Sequence, residues 1–147
     1  MRILIACLWL AGFVQLGIVA ANFVLPKKLS YRENLAQLSP ILRQIFVIHS
    51  VYVTGVVFLF ALLTFGFAPD LISGHGLGRF LAAAMAVFWL FRIPIQLFYY
   101  DASLRRANRA GDVAMTLALL FLGFTYATAA LVRRALAFPA CSLGRNF

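Results

Sequence analysis

Charge is scarce in this sequence, and negative charge scarcer still. Charged residues make up 12% of the 147, and only four of them are acids, whereas a soluble domain carries about 25% charged residues. Glu33, Asp70, Asp101 and Asp112 are scattered along the chain, which leaves no paired carboxylates for general acid–base work. The two cysteines, Cys7 and Cys141, are too few and too far apart for a zinc or redox motif. The two histidines, His49 and His75, do not share a motif either, and HExxH, CxxC and GxSxG are all missing. No catalytic residue, metal ligand set or cofactor is therefore expected.

What the chain has instead is apolar surface: 64% of residues are hydrophobic and the mean hydropathy is +0.95. Four apolar runs with short connectors use nearly all of it, so the expected fold is all-α, a polytopic transmembrane four-helix bundle forming one membrane domain over residues 1–147. The spans are expected at about 3–25, 45–67, 80–100 and 113–132. Each is long enough, at about 1.5 Å per residue, to cross a hydrocarbon core of about 30 Å. The first run competes with a cleavable signal peptide, because Arg2 precedes it and Val19-Ala20-Ala21 resembles a cleavage site. Its length and the interruption at Gln15 favour a retained span.

The connector at residues 26–44 carries its own signals. Pro26-Lys27-Lys28 is expected to stop the first span. Ser30 and Glu33 have capping-box spacing, and Tyr31, Leu35 and Leu38 fall on one side. This predicts a short amphipathic interfacial helix between spans one and two. Ser39-Pro40 reads as a second helix start, with the serine as N-cap and the proline in the first turn. Pro69, Asp70, Ser73 and the glycines at 74, 76 and 78 read as the second connector, residues 101–111 as the third, and Asp112 as the cap of the fourth span.

Formal charge is +9. In a soluble chain that would suggest nucleic acid. Here the basic residues flank apolar runs, so they point to bilayer orientation and anionic headgroups, and no nucleic-acid partner is expected. Connectors one and three hold Lys27, Lys28, Arg32, Arg43, Arg105, Arg106 and Arg109; the opposite side holds Arg2, Arg79, Arg133, Arg134 and Arg145. The positive-inside rule then places residues 26–44 and 101–111 in the cytoplasm and both termini outside.

Polar residues inside the spans form the candidate binding cluster: Gln15, Asn22, His49, Tyr52, Arg92, Gln96 and Tyr99. Gln15 and Asn22 share a face of span one, His49 and Tyr52 one of span two, and Arg92, Gln96 and Tyr99 one of span three. Arg92 sits near mid-span, where a charge costs roughly 2.5–3.5 kcal/mol to insert, so it should face the bundle interior or a wet cavity. No acid is expected at its depth. Carbonyls loosened by Pro94 and the neutral side chains are its expected acceptors. The cluster reads in two ways. It is either a hydrogen-bonded plug that fixes the bundle, or a pocket in which Arg92 binds an anionic group and His49 moves a proton.

Other signals carry less. Haem ligation by His49 would need a second histidine on the same side, and His75 lies in the far connector. Gly74-His75-Gly76-Leu77-Gly78 lacks both the strand and the lysine of a phosphate loop. Leu4-Ile5-Ala6-Cys7 is lipobox-like, but almost nothing precedes it. Cys7 and Cys141 would share one side, where a disulfide could form.

Leu25-Pro26-Lys27-Lys28-Leu29, Leu38-Ser39-Pro40, Arg43-Gln44-Ile45-Phe46 and His49 resemble a group of small uncharacterised bacterial membrane proteins. Phe88-Trp89, Arg92, Gln96-Leu97-Phe98-Tyr99 and Asp101 share the resemblance, which covers roughly residues 20–101. It implies a bacterial origin and four spans, and no activity. The expected function is a non-enzymatic accessory or binding component contacting membrane lipids, with a protein partner or a homo-oligomer open. The alternatives are a lipid- or quinone-handling enzyme built around Arg92 and His49, and a small transporter subunit acting as an oligomer.

Overall fold

A computed structural model of the chain describes residues 2–28, 35–73, 76–99 and 109–136, with side chains at 2–24, 35–73, 76–98 and 109–131. Those residues are helical nearly throughout, with no strand among them. They form α1 (Arg2–Lys28), α2 (Pro40–Ser73), α3 (Gly76–Pro94), a π-helical turn (Ile95–Tyr99) and α4 (Arg109–Leu136). Four stretches, Arg2–Val24, Pro40–Ser73, Gly76–Phe98 and Arg109–Leu131, are long and apolar enough to cross a membrane.

The helices extend past their expected ends, and prolines account for much of the difference. Pro26 does not stop α1, which continues to Lys28. A proline forfeits only its own bond to the carbonyl four residues back, and near a helix end that carbonyl can be satisfied otherwise. Pro69 likewise lies inside α2, so most of the expected second connector is helical. The interruption shows instead at Phe67, whose φ of −127° and ψ of 25° mark a kink, two residues ahead of the proline that causes the break in the ladder. Only residues 74–75 separate α2 from α3. Gly78 permits the start of α3 to approach the end of α2 closely. A Cβ there would collide with the Asp70 carbonyl oxygen, which belongs to rigid backbone.

Pro94 does disturb the ladder of α3. The chain beyond it winds as the π turn Ile95–Tyr99, a wider coil of the kind that marks functional segments. The start of α2 follows its sequence signals: the Arg43 N–H donates to the Ser39 carbonyl at 3.0 Å, so Ser39 is the N-cap and Pro40 opens the first turn. Asp112 is not the cap of α4. The helix begins at Arg109, and Asp112 sits in its first turn, where a carboxylate still favours the positive helix end. Of the expected interfacial helix, residues 29–34 lie outside the described residues, as do the tail and the side chains of Tyr99, Lys27 and Lys28; residues 35–38 close in a turn, with the Leu38 N–H donating to the Leu35 carbonyl at 3.2 Å, and residues 40–44 already belong to α2.

The helices pack as two close pairs, α1 with α2 and α3 with α4, joined more sparingly by α2–α3 and α1–α4 contacts. The core is one cluster. Leu8 and Ala11 enter from α1, Val57, Ala68 and Leu71 from α2, Ala82, Met85 and Trp89 from α3, and Leu119, Leu122 and Tyr126 from α4. Small residues set the spacing. Gly12 lies under the Phe65 ring, and a Cβ at Gly123 would sit 2.5 Å from Leu90 Cδ2. The Phe65 ring also meets Trp9 and Phe13 edge-on, at centroid distances of 5.6 and 5.1 Å.

Candidate functional site

The polar residues of the interior fall at two depths. The deeper group lies in the closed part of the bundle. Gln15 of α1 is fully buried, and its Nε2 donates to Tyr126 Oη of α4 at 2.9 Å. Tyr126 also hydrogen-bonds to Thr64 of α2, and Thr64 donates to the Phe60 carbonyl at 2.7 Å. The direction of this chain is forced. The single proton of Thr64 is committed to a carbonyl, so Tyr126 must donate to Thr64, and Gln15 must then supply its amide N–H to Tyr126. Gln15 Oε1 is left buried without a partner among the described residues, as is Nε1 of Trp89, the α3 residue buried in the same core.

The second group lies where α1 and α3 end and α2 and α4 begin. Gln96, buried on the π turn, donates from Nε2 to Asp112 Oδ1 at 2.9 Å. One turn above it, Arg92 is half-buried, with its Nη1 shielded from solvent. Trp89, Arg92 and Gln96 follow the spacing of a single helix face, so Arg92 lies on the side of α3 that Trp89 and Gln96 bury. Thr116 of α4 is half-buried nearby in sequence and donates to the Asp112 carbonyl at 2.8 Å.

The described side chains of the expected cluster, six of the seven, are thus not one constellation. Gln15 belongs to the deep group, bonded to Tyr126 of α4, which in turn bonds Thr64 of α2. Arg92 and Gln96 belong to the outer group. Asn22 lies seven residues beyond Gln15 on the same face of α1 but is exposed. His49 is exposed on α2, and Tyr52 is 71% exposed. Placed by helical angle against Val57, Ala61 and Thr64, which mark the buried face of α2, Tyr52 points away from the bundle and His49 to its flank. An acid does reach the outer group: Asp112 accepts from Gln96, one turn beyond Arg92. Asp112 is carried inward because α4 begins earlier than its cap signal indicated.

Tyr126, Thr64 and Asp112 are the three partners that reading the sequence missed. Tyr126 stands inside an apolar run, where its hydroxyl was the only signal. Asp112 read as a surface cap. Among the described residues, no three of His, Cys, Asp and Glu converge to hold a metal ion. No family model, curated protein or solved structure matches the chain.

Proposed function

We propose that this chain is a four-span integral protein of a bacterial inner membrane, acting as a non-enzymatic accessory or binding component. The observation that carries the reading is an inverted surface. Gln15 and Thr64 are fully buried, while Ile3, Phe13, Phe91 and Phe124 are 60% exposed or more. In water such a surface would drive aggregation. In hydrocarbon it is the favoured arrangement, because apolar side chains lose nothing by facing lipid and buried polar groups bind one another.

Accessory or binding work fits the interior better than catalysis. The deep group spends its hydroxyls and its amide N–H on its own members, and Gln96 is spent on Asp112. His49 is exposed near the start of α2, while Arg92 is half-buried toward the end of α3. Orientation follows the basic residues, with residues 26–44 and 101–111 cytoplasmic and the termini outside.

Membranes from cells expressing the full chain, washed with alkaline carbonate and floated on a density gradient, provide the test. The protein is expected to remain with the lipid. Release into the carbonate supernatant would refute the reading.

A further inference from the structure

We infer that a water molecule is bound inside the bundle, accepting the N–H of Trp89 and donating to the side-chain oxygen of Gln15. The site lies in the packed core and does not depend on the function proposed above. Gln15 is 0% exposed and Trp89 2%, yet Gln15 Oε1 and Trp89 Nε1 have no hydrogen-bond partner among the described residues. Folded interiors leave few polar atoms in that condition, and a bound water is an ordinary reason for those that remain.

The two atoms come from one level of the bundle. Gly123 of α4 packs against Leu90 of α3, while Asp112, earlier in α4, meets Gln96, later along the chain. The two helices therefore run antiparallel. Tyr126, three residues past Gly123, is level with the residue three before Leu90, which is two short of Trp89. The offset is about 3 Å along the axis at 1.5 Å per residue. Side chains lean toward the start of their own helix, so the Tyr126 phenol and the Trp89 indole, both in the same core cluster, reach a shared level. Gln15 is joined to that phenol. Its Nε2 lies 2.9 Å from Tyr126 Oη, and Oε1 belongs to the same amide.

The chemistry of the two atoms selects the occupant. One accepts and the other donates, so whatever joins them must both donate and accept. An anion would suit Trp89 and repel Oε1, a cation would do the reverse, and either charge is costly in an apolar core. Turning the amide does not remove the mismatch. Thr64 gives its proton to the Phe60 carbonyl and Tyr126 gives its own to Thr64, which fixes the Gln15 N–H on Tyr126 and leaves the oxygen over. Leu8, Ala11 and Leu122, all 0% exposed, close the surrounding core to any large molecule. Water is small, neutral and both donor and acceptor. Two partners are the fewest that retain a buried water, and satisfying two orphaned groups outweighs the freedom lost in ordering it.

The test is nuclear magnetic resonance of the full chain, deuterated and labelled with heavy nitrogen, in deuterated dodecylphosphocholine micelles, a detergent without exchangeable protons. Trp9→Phe identifies which indole N–H belongs to Trp89. That N–H is expected to show a cross-peak at the water frequency, with the rotating-frame sign of spatial contact rather than of proton exchange. Absence of the peak would overturn the site.

An exchanging hydroxyl nearby would give a similar peak, and two variants separate the sources. Tyr126→Phe removes the phenol hydroxyl and keeps both atoms that hold the water, so the peak should persist; its loss would overturn the site. Gln15→Leu removes the acceptor and keeps the phenol, so the peak should vanish, and a retained peak would overturn the site. If one variant does not accumulate, the other decides. Release of the water in Gln15→Leu restores its freedom and offsets part of the bonding lost.

Discussion

The Gln15 amide donates to the Tyr126 hydroxyl across 111 residues of sequence, tying the first helix of the chain to the last. Thr64 extends the tie to α2, so three of the four helices are held at one level by a single phenol. The cost of losing each member differs because each leaves a different group behind.

Tyr126→Phe should destabilise the protein by about 1–3 kcal/mol, since both the Gln15 amide and the Thr64 oxygen lose a partner in a buried site. Gln15→Leu should cost less than about 1 kcal/mol. It removes one bond, leaves Tyr126 donating to Thr64, and also deletes the buried Oε1 that has no partner among the described residues. Unfolding in mixed detergent micelles would rank the two. A larger loss from Gln15→Leu would contradict the bond directions assigned here.

The glycines should separate by what their added methyl meets. At Gly78 it meets the Asp70 backbone carbonyl, which cannot turn aside, so Gly78→Ala should reach or exceed the roughly 3 kcal/mol upper range of overpacking. At Gly123 it meets the end of the Leu90 side chain, which can change rotamer, and the cost should be smaller. Gly55 has nothing within 4 Å of its added Cβ, so Gly55→Ala should be neutral or gain up to about 1 kcal/mol of helix propensity. Thermal melts of the three variants test the order.

Gln96→Leu should cost about 1–3 kcal/mol, because it leaves a half-buried carboxylate without the amide that now donates to it. Adding Asp112→Asn to Gln96→Leu should recover part of that loss, since a neutral amide loses less than a carboxylate when the Gln96 donor is removed. If the double variant is less stable than the single by the full cost of Asp112→Asn alone, the two residues are not coupled.

Sidedness has a direct assay. A reporter active only outside the cytoplasm, fused after Phe147, should be active, and the same reporter inserted in residues 101–111 should be silent. The reverse pattern would invert the topology.

The helices were legible in the sequence because a long apolar run with turn residues at its ends has few other meanings. Ser39-Pro40 was legible for the same local reason. Pro69 misled, since a proline can be absorbed by a kink when the helix around it is packed, and nothing local announces that packing. Gln15 and Asn22 share a face by their spacing along α1, yet the first is buried and the second exposed. Spacing on one helix fixes a face, while a partner on another depends on relative depth and rotation. Asp112 shows the same limit: its distance from Gln96 depends on where α4 begins and on how the π turn after Pro94 presents Gln96.

The deep chain of bonds from Gln15 through Tyr126 and Thr64 to the Phe60 carbonyl has a further consequence. A path for protons needs every member both to take up a proton and to release one, and it needs donors and acceptors that can exchange roles. Here one terminus is a carboxamide, which does not surrender its hydrogen near neutral pH, and the other is a peptide carbonyl, which can only receive. The row of dipoles therefore cannot reverse. It gives the middle of the bundle a fixed polarity and makes this row an electrical dead end.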